Sequence, residues 1–537
     1  MTEYVLTAID TTRIQGYIFG SNQLKENLGG SELVEMATHK WVFEALPSRN
    51  NVTDTTIGEL GENRTIADID AEVIYAGGGN TVIIFTSMVL ATEFTRRLTL
   101  RVLREAPGLE IVVAHRPFVW EEKPALAQVV QETLGVDLAR KKQNREPSLP
   151  LLGLGVTAPC NSTGLVATDV IATKGAKKLV SREISAKMQP RVQDAGQRRL
   201  THKLERIQQS GWDTPFDFDD LGRTKGEDGH IAVVHADGNG MGKRVAKIAK
   251  RYNTPAQNRD YIRAIRAFSQ GLERAATIAM KSVVDLMADA LVADGELAER
   301  HDRKFPLRPI VFGGDDVTFV CHGRYGLPLA VHYLRAFEEA TKQETAFEQQ
   351  TAFACAGVAI VKVHYPFARA YHLSEQLCKS AKQFVREQGS DGSALDWHIA
   401  MSGITGTLEA VREREYKLEQ GRNLYLRPVL LEESARTWRT WPVFEHLLDE
   451  FVRENGEWFG RRNKVKALRE ALRAGPVAVE EFLRDYQLKR LPTQSSIPFA
   501  RYEKEGWAGD RCVYFDPIEI MDYYEDLATI AKEKKHG

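Results

Sequence analysis

Asp315 and Asp316 are adjacent carboxylates set between two apolar runs, Pro309-Ile310-Val311-Phe312 and Val317-Thr318-Phe319-Val320, with Gly313-Gly314 supplying the turn. Two like charges on a hairpin tip repel, and a tight turn needs only one Asp or Asn. A shared divalent cation removes that penalty. Mg²⁺ takes oxygen ligands, commonly one or two carboxylates together with substrate phosphates. Upstream, Ile231 to Ala236 reads as a strand ending at Asp237, followed by Gly238-Asn239-Gly240-Met241-Gly242-Lys243. If that strand lies beside the hairpin, Asp237, Asp315 and Asp316 converge as metal ligands and catalytic residues. Such a trio suits two metals about 3.5–4 Å apart acting on an in-line phosphoryl displacement. The glycine run is expected to turn backbone N–H groups toward phosphate, with Lys243 adding charge near a helix start. Gly313 and Gly314 join these nucleotide-binding candidates. Leu377 to Lys382 lies late in a helix whose Leu373, Leu377, Ala381 and Phe384 would face a sheet, raising Lys382 toward a triphosphate.

The elements that must position these groups occur twice. Tyr4 to Ile9 is a strand ending at Asp10; Glu72 to Ala76 then runs into Gly77-Gly78-Gly79-Asn80 and Thr81 to Phe85. Asp10 precedes Gly77 by 67 residues, and Asp237 precedes Gly313 by 76. Both copies continue with a helix-period segment (91–105 and 327–341) and a strand (110–114 and 353–361). The order is βαββαβ, that of a ferredoxin-like, nucleotide-cyclase-like palm, in the α+β class. The first copy keeps Asp10 but carries Gly79 and Asn80 where the second has Asp315 and Asp316. It is therefore not expected to hold two metals. Asp10, Gly78, Gly79 and Asn80 remain candidates for binding a nucleotide, with a structural role as the alternative.

At 537 residues, Lys+Arg 72 balance Asp+Glu 73, a formal charge of -1, so no global field recruits nucleic acid or acidic membrane. No apolar run approaches the ~18–20 residues of a membrane helix, and the N-terminus lacks a secretory pattern. The expected location is cytoplasmic. Five cysteines without a CxxC pair make a disulfide framework and a zinc site unexpected; Cys321, Cys355 and Cys378 read as buried small hydrophobes. The basic run from Lys174 to Arg206 reads as a solvated helix face rather than a phosphate patch. His301-Asp302 sits among charges and reads as a surface loop, the scattered tryptophans as core. Phe444, Leu447, Leu448, Phe451 and Val452, then Val465, Leu468, Leu472 and Val479, Phe482, Leu483 mark helices, and Asp516-Pro517 reads as an N-cap with proline at the first helical position. The expected division is a first, degenerate palm over 1–115, a linker region over 116–225, a catalytic palm over 226–424 and a helical domain over 425–537.

The chain resembles the large palm-domain polymerase/cyclase subunit of type III CRISPR effector complexes. The resemblance rests on Ile9-Asp10, Arg13 to Phe19, Leu24 to Asn27 with Gly29-Gly30-Ser31, Tyr75 to Asn80, the Asp237 glycine loop, the GGDD turn and Leu377 to Lys382. It implies conversion of ATP into cyclic oligoadenylate signals, metals and one ATP on the second palm, and another ATP on the first. Asp237, Asp315 and Asp316 would then be the ligands of two Mg²⁺ or Mn²⁺ ions and Lys382 a phosphate contact. The family commonly begins with an HD nuclease domain; this chain starts at the first palm, so DNA cleavage is not expected. Cys160-Asn161-Ser162-Thr163-Gly164 resembles a zinc-ribbon knuckle with Thr163 in place of the second cysteine, so zinc is not expected. The implied partners are ATP, other type III subunits with target RNA and crRNA indirectly, or a second copy if the protein stands alone; no membrane is implied. Two other readings are a GGDEF-like dinucleotide cyclase using GTP, disfavoured by Val317 after the Asp pair, and a catalytically silent nucleotide-binding scaffold.

Overall fold

Two sheets built to one plan carry the chain in the computed structural model, which describes residues 3–54, 59–77, 79–145, 153–173, 175–209, 211–222, 229–400, 406–453, 458 and 460–533. In the first, β1 (Glu3–Thr12) leads into helices α1 (Ile14–Phe19) and α2 (Leu24–Glu35), then the hairpin β2 (Ala71–Gly77) and β3 (Asn80–Phe85). Helix α3 (Met88–Glu105) and strand β4 (Glu110–Val119) complete it. Ser87 accepts a hydrogen bond from the Leu90 amide at the start of α3, and Phe94, Leu98 and Val102 form its buried stripe. Each such side chain contributes about 1.5–3 kcal/mol of burial. The spatial order is β2-β3-β1-β4 with antiparallel neighbours, the ferredoxin-like order.

A middle region follows, with short α4 (Ala139–Gln143), a hairpin of Asp169–Thr173 and Ala176–Val180, and α5 (Pro190–Lys203). The second sheet repeats the plan: β5 (His230–Gly238), α6 (Met241–Arg251), α7 (Asn258–Ala293), β6 (Leu307–Gly313), β7 (Asp316–His322), α8 (Gly326–Gln343) and β8 (Ala354–Lys362). Its order is β6-β7-β5-β8, extended by α9 (Phe367–Glu387), β9 (Ala394–Ala400) parallel to β8, and β10 (Val429–Leu430). The repeat extends to its irregularities. Each hairpin shifts register at the same place in its first strand, between Val73 and Tyr75 and between Pro309 and Val311. One apolar core runs from Val5, Ile9 and Phe85 of the first palm into Val233, Ile310 and Val320 of the second, and Ser31 Oγ donates to the Ile310 carbonyl at 2.6 Å across the junction.

Helices α10 (Trp441–Val452), α11 (Arg462–Ala474) and α12 (Pro476–Asp485) carry Leu447, Phe451, Val465, Leu468, Leu472, Val479, Phe482 and Leu483 into a separate core. Phe444 and Leu448 join the core of the second palm, and Val452, expected on the same face, is exposed at the end of α10. Three local expectations are corrected. The first palm's last strand runs on to Val119, past residue 115, because its far end pairs fully with β1. Asp516 is no helix cap: it is fully buried, accepts from the Leu426 and Arg427 amides, and pairs with the Arg427 guanidinium at 2.7 Å. His301 is not on a surface loop but 4% exposed, its Nε2 within 2.7 Å of the Tyr325 hydroxyl. All five cysteines are buried and unpaired. Among the described residues no helix is long and apolar enough to cross a membrane.

Candidate active site between the palms

The hairpin tip of the second palm is shaped by its glycines. Gly314 (φ 69°) occupies the first turn position between Gly313 and Asp316, where a tight hairpin requires positive φ. Asp316 begins β7 and is the cross-strand partner of Asp237 at the end of β5. Asp315 is held from the other side, its carbonyl accepting from the Gly238 amide at 3.0 Å. That approach needs glycine, since a Cβ on residue 238 would sit 2.8 Å from the Asp315 Cβ. Asp237 thus meets the adjacent Asp315 and Asp316, 78 and 79 residues further along the sequence, at one sheet end.

The electrostatics record the crowding. Enclosure, then the charges of Asp237 and Asp315, push the Asp316 carboxyl up to about 7. Asp315 is also raised, by burial and by Asp237. The Asp316 side chain is 45% exposed as a whole, yet its Oδ1 is enclosed and accepts no hydrogen bond. His235 beneath it is held neutral, down to about 4, by burial. Lys382, on α9, donates to Asp237 Oδ2 at 2.6 Å and to the Gly238 carbonyl at 2.9 Å. Its helix is seated by Leu373, Leu377, Ala381 and Phe384, all buried, so the lysine reaches the site as expected but lies on a carboxylate. Among the described residues no three histidine, cysteine or carboxylate side chains are already gathered as a metal cage.

The glycine loop differs from its sequence reading. The amides of Gly238 and Asn239 bond within the protein, to Asp315 and Phe353, and the Asn239 side chain turns into the sheet to donate to Cys355 Sγ and the Gly392 carbonyl. The amides that open α6, at Met241 and Gly242, follow a left-handed Gly240 (φ 70°) and stand in the first turn, where a helix offers its amides no acceptor of its own. Lys243 is exposed in that first turn.

The first palm mirrors the arrangement without its acids. Asp10 pairs across the sheet with Asn80, as Asp237 does with Asp316, and the Gly79 carbonyl accepts from the Thr11 amide, as that of Asp315 does from Gly238. Lys142 of α4 forms an ion pair with Asp10. Gly78 lies outside the described residues. Both turns line one cavity of about 340 Å³: Gly77, Gly79 and Asn80 on one side, Gly313 to Asp316 on the other, with walls from α2, α6 and α7. Two cations, Arg199 and Lys203 of α5, also line it, paired with Glu32 and Glu273 and lying over the Phe312 ring. They belong to the basic run read as a solvated face. The i,i+4 spacing of Arg199 and Lys203 was the only sequence signal that they share a side. Lys187 of the same run is likewise buried, bonded to Glu183 and the Tyr17 carbonyl.

Residues 230–389 match the family model described as Cas10/Cmr2, second palm domain. Over those residues the chain is similar to that family's second palm. Fold similarity to Cas10-type subunits extends beyond it. A crystal structure of a Csm1–Csm4 cassette in complex with cA3 matches at a TM-score of 0.51 and 14% identity, over 98% of this chain and 70% of that one. A Csm1–Csm4 cassette in complex with pppApApA matches at 0.51 and 12%, over 99% and 69%. The chain is thus Cas10-like in fold over nearly its whole length. Comparison with curated proteins returns no match.

Proposed function

We propose that the protein is a metal-dependent nucleotidyltransferase that joins ATP, through 3′–5′ linkage, into a cyclic or linear oligoadenylate for type III CRISPR or related antiviral signalling. The observation that carries this reading is the meeting of Asp237 with Asp315 and Asp316, the last two of which line a cavity that both palms share. The Csm1–Csm4 fold relatives in complex with cA3 and pppApApA support the same product class and assembly with other type III subunits.

The donor set fits a hard divalent cation, being all carboxylate and mutually repelling, with an enclosed Asp316 oxygen that makes no hydrogen bond and has only the neutral His235 ring 3.3 Å away among the contacts of the described residues. Asp237, Asp315 and Asp316 would hold Mg²⁺ or Mn²⁺, which when bound neutralises developing charge and lowers the pKa of a ribose hydroxyl. The chain's own residues do the rest. The Met241 and Gly242 amides, at the positive end of α6, meet phosphate oxygens. Lys243 and Lys382 oppose the triphosphate charge. Ile265, Phe268 and Leu272 of α7 wall the cavity against water, and the Gly79-Asn80 turn offers a second nucleotide a place opposite the first. Two reactants fixed in one cavity gain the several kcal/mol that positioning supplies.

Incubation with each NTP and Mn²⁺, followed by mass analysis, tests the reading: ATP should yield oligoadenylate and pyrophosphate, and Asp315→Ala/Asp316→Ala should yield neither while remaining folded. Dinucleotide made from GTP instead would favour the GGDEF-like alternative. The Lys382–Asp237 ion pair favours one other reading, a silent nucleotide-binding scaffold. Binding of ATP with no pyrophosphate release, even with partner subunits and target RNA added, would select it.

A further inference from the structure

The strand-end aspartate of each palm is already neutralised by a lysine. Asp10 holds Lys142, and Asp237 holds Lys382. In the first palm Asn80 stands where Asp316 stands in the second, so among the described residues of that turn no second carboxylate flanks the pair. In the second palm Asp315, Asp316 and Asp237 crowd together, and the Lys382 ammonium is the one cation within bonding reach of the trio among the described residues. It is fixed there twice, by Asp237 Oδ2 at 2.6 Å and by the Gly238 carbonyl at 2.9 Å. The ion pair is 17% exposed on the lysine side. The helix behind it is packed hard on the sheet: Gly357 of β8 lies so close to α9 that a Cβ there would meet the Ser374 carbonyl oxygen at 2.0 Å, and Leu377 and Ala381 are fully buried. Rotation of the flexible lysine side chain costs less than lifting that buried face off the sheet.

We infer that Lys382 is a stand-in cation that blocks Asp237 until a nucleotide polyphosphate draws it away, so that divalent metal and nucleotide bind the second palm together. This deepens the proposed function and rests on its assignment of the metal to the three acids. The physical basis is competition. An ammonium 2.6 Å from Asp237 Oδ2 leaves a metal only the other oxygen of that carboxylate unless the bond is given up, and its charge repels a metal approaching either oxygen. A triphosphate offers the ammonium replacement oxygens and removes both costs at once. The two ligands then help each other by one coupling free energy, and by the same factor in each direction.

The test is metal binding without turnover: Mn²⁺ titrated into nucleotide-free full-length protein, with free Mn²⁺ read by its EPR signal. Lys382→Met should bind Mn²⁺ about tenfold or more tightly than wild type, in the range of ordinary coupling energies. Lys382→Arg, which keeps the charge, should stay weak. Lys142→Met, in the first palm, should match wild type. In EDTA, AMPPNP should bind Lys382→Met about tenfold more weakly than wild type, since the phosphates lose their cation. Equal Mn²⁺ affinity in wild type and Lys382→Met overturns the inference, provided that Asp315→Asn/Asp316→Asn lowers binding in both. If the Asn pair changes Mn²⁺ binding in neither background, the metal does not sit at the acids, and the proposed function fails with the inference. Melting curves of each variant show whether it is folded before titration.

Discussion

Repulsion between Asp237, Asp315 and Asp316 costs the fold stability, and a single side chain should reveal it. Asp316→Asn keeps the shape and removes one of the three charges. In EDTA, above neutral pH, the variant should be more stable than wild type by about 1 kcal/mol, a figure discounted because the side chain is nearly half open to solvent. Its pyrophosphate release with Mn²⁺ and ATP should be lost. Thermal melting and a phosphate assay check the two halves, and an Asp316→Asn protein that melts lower in EDTA would mean the acids are not in conflict. Site residues chosen for function at the expense of stability are the expected pattern. The trio was legible in the sequence because adjacent acids on a hairpin tip break a local rule. Lys142 was not, nor were Arg199 and Lys203, because each acts across more than 60 residues of chain on a partner that no local pattern names.

At the scale of elements, the strands and amphipathic helices followed their periodicity, since burial alone decides which face turns inward. The exceptions were polar residues whose neighbours misled. His301 is flanked by Arg300 and Asp302, yet its ring packs against His322 and Tyr325 at the end of α13 (Gly295–Arg300). Burial, and then the nearby Arg300 charge, hold it neutral, down to about 4. A depressed histidine stabilises the fold above its unfolded value near 6.5, and that contribution is lost as pH falls toward the folded value. Between pH 7 and pH 5 His301 alone should cost about 2 kcal/mol of stability. Urea unfolding at the two pH values should show the loss, and His301→Phe, which keeps a ring but cannot titrate, should shrink it. An unchanged acid sensitivity in His301→Phe would place the titrating group elsewhere. Asp516 taught the same lesson: Asp-Pro reads locally as a cap, but the buried Arg427 claims the carboxylate.

For the molecule as a whole, what matters is how two palms made to one plan come to share a cavity. The repeat itself could be read from matching turns at matching intervals, whereas the relative placement of the palms could not. It is set by α7, whose 36 residues span about 54 Å. Near its start Arg266 donates to the Val73 carbonyl at 2.8 Å and the Ile74 carbonyl at 3.3 Å, and Arg259 pairs with Glu72 at 2.7 Å. All these acceptors lie in β2, the strand that ends in the Gly77–Asn80 turn. One helical turn later Phe268, Ser269, Leu272 and Glu273 wall the cavity, and farther on its Val284, Met287 and Leu291 join the core of the second palm. The helix is therefore the ruler that fixes one turn opposite the other. Arg266→Met removes the bonds at the bulge of β2 while Glu72 keeps Arg259, so the fold should survive at a cost of about 2–4 kcal/mol. Under the proposed function, metal binding at Asp237, Asp315 and Asp316 would depend on the second palm alone and should be unchanged in a Mn²⁺ titration. Condensation of two ATP molecules would depend on both turns, and an error of about 1 Å between bound reactants can cost about 10²-fold. Oligoadenylate formation by Arg266→Met should fall by that order while Mn²⁺ affinity holds. If synthesis and metal binding fall together, the helix supports only the fold. If neither falls, the first palm takes no part in placing the second nucleotide.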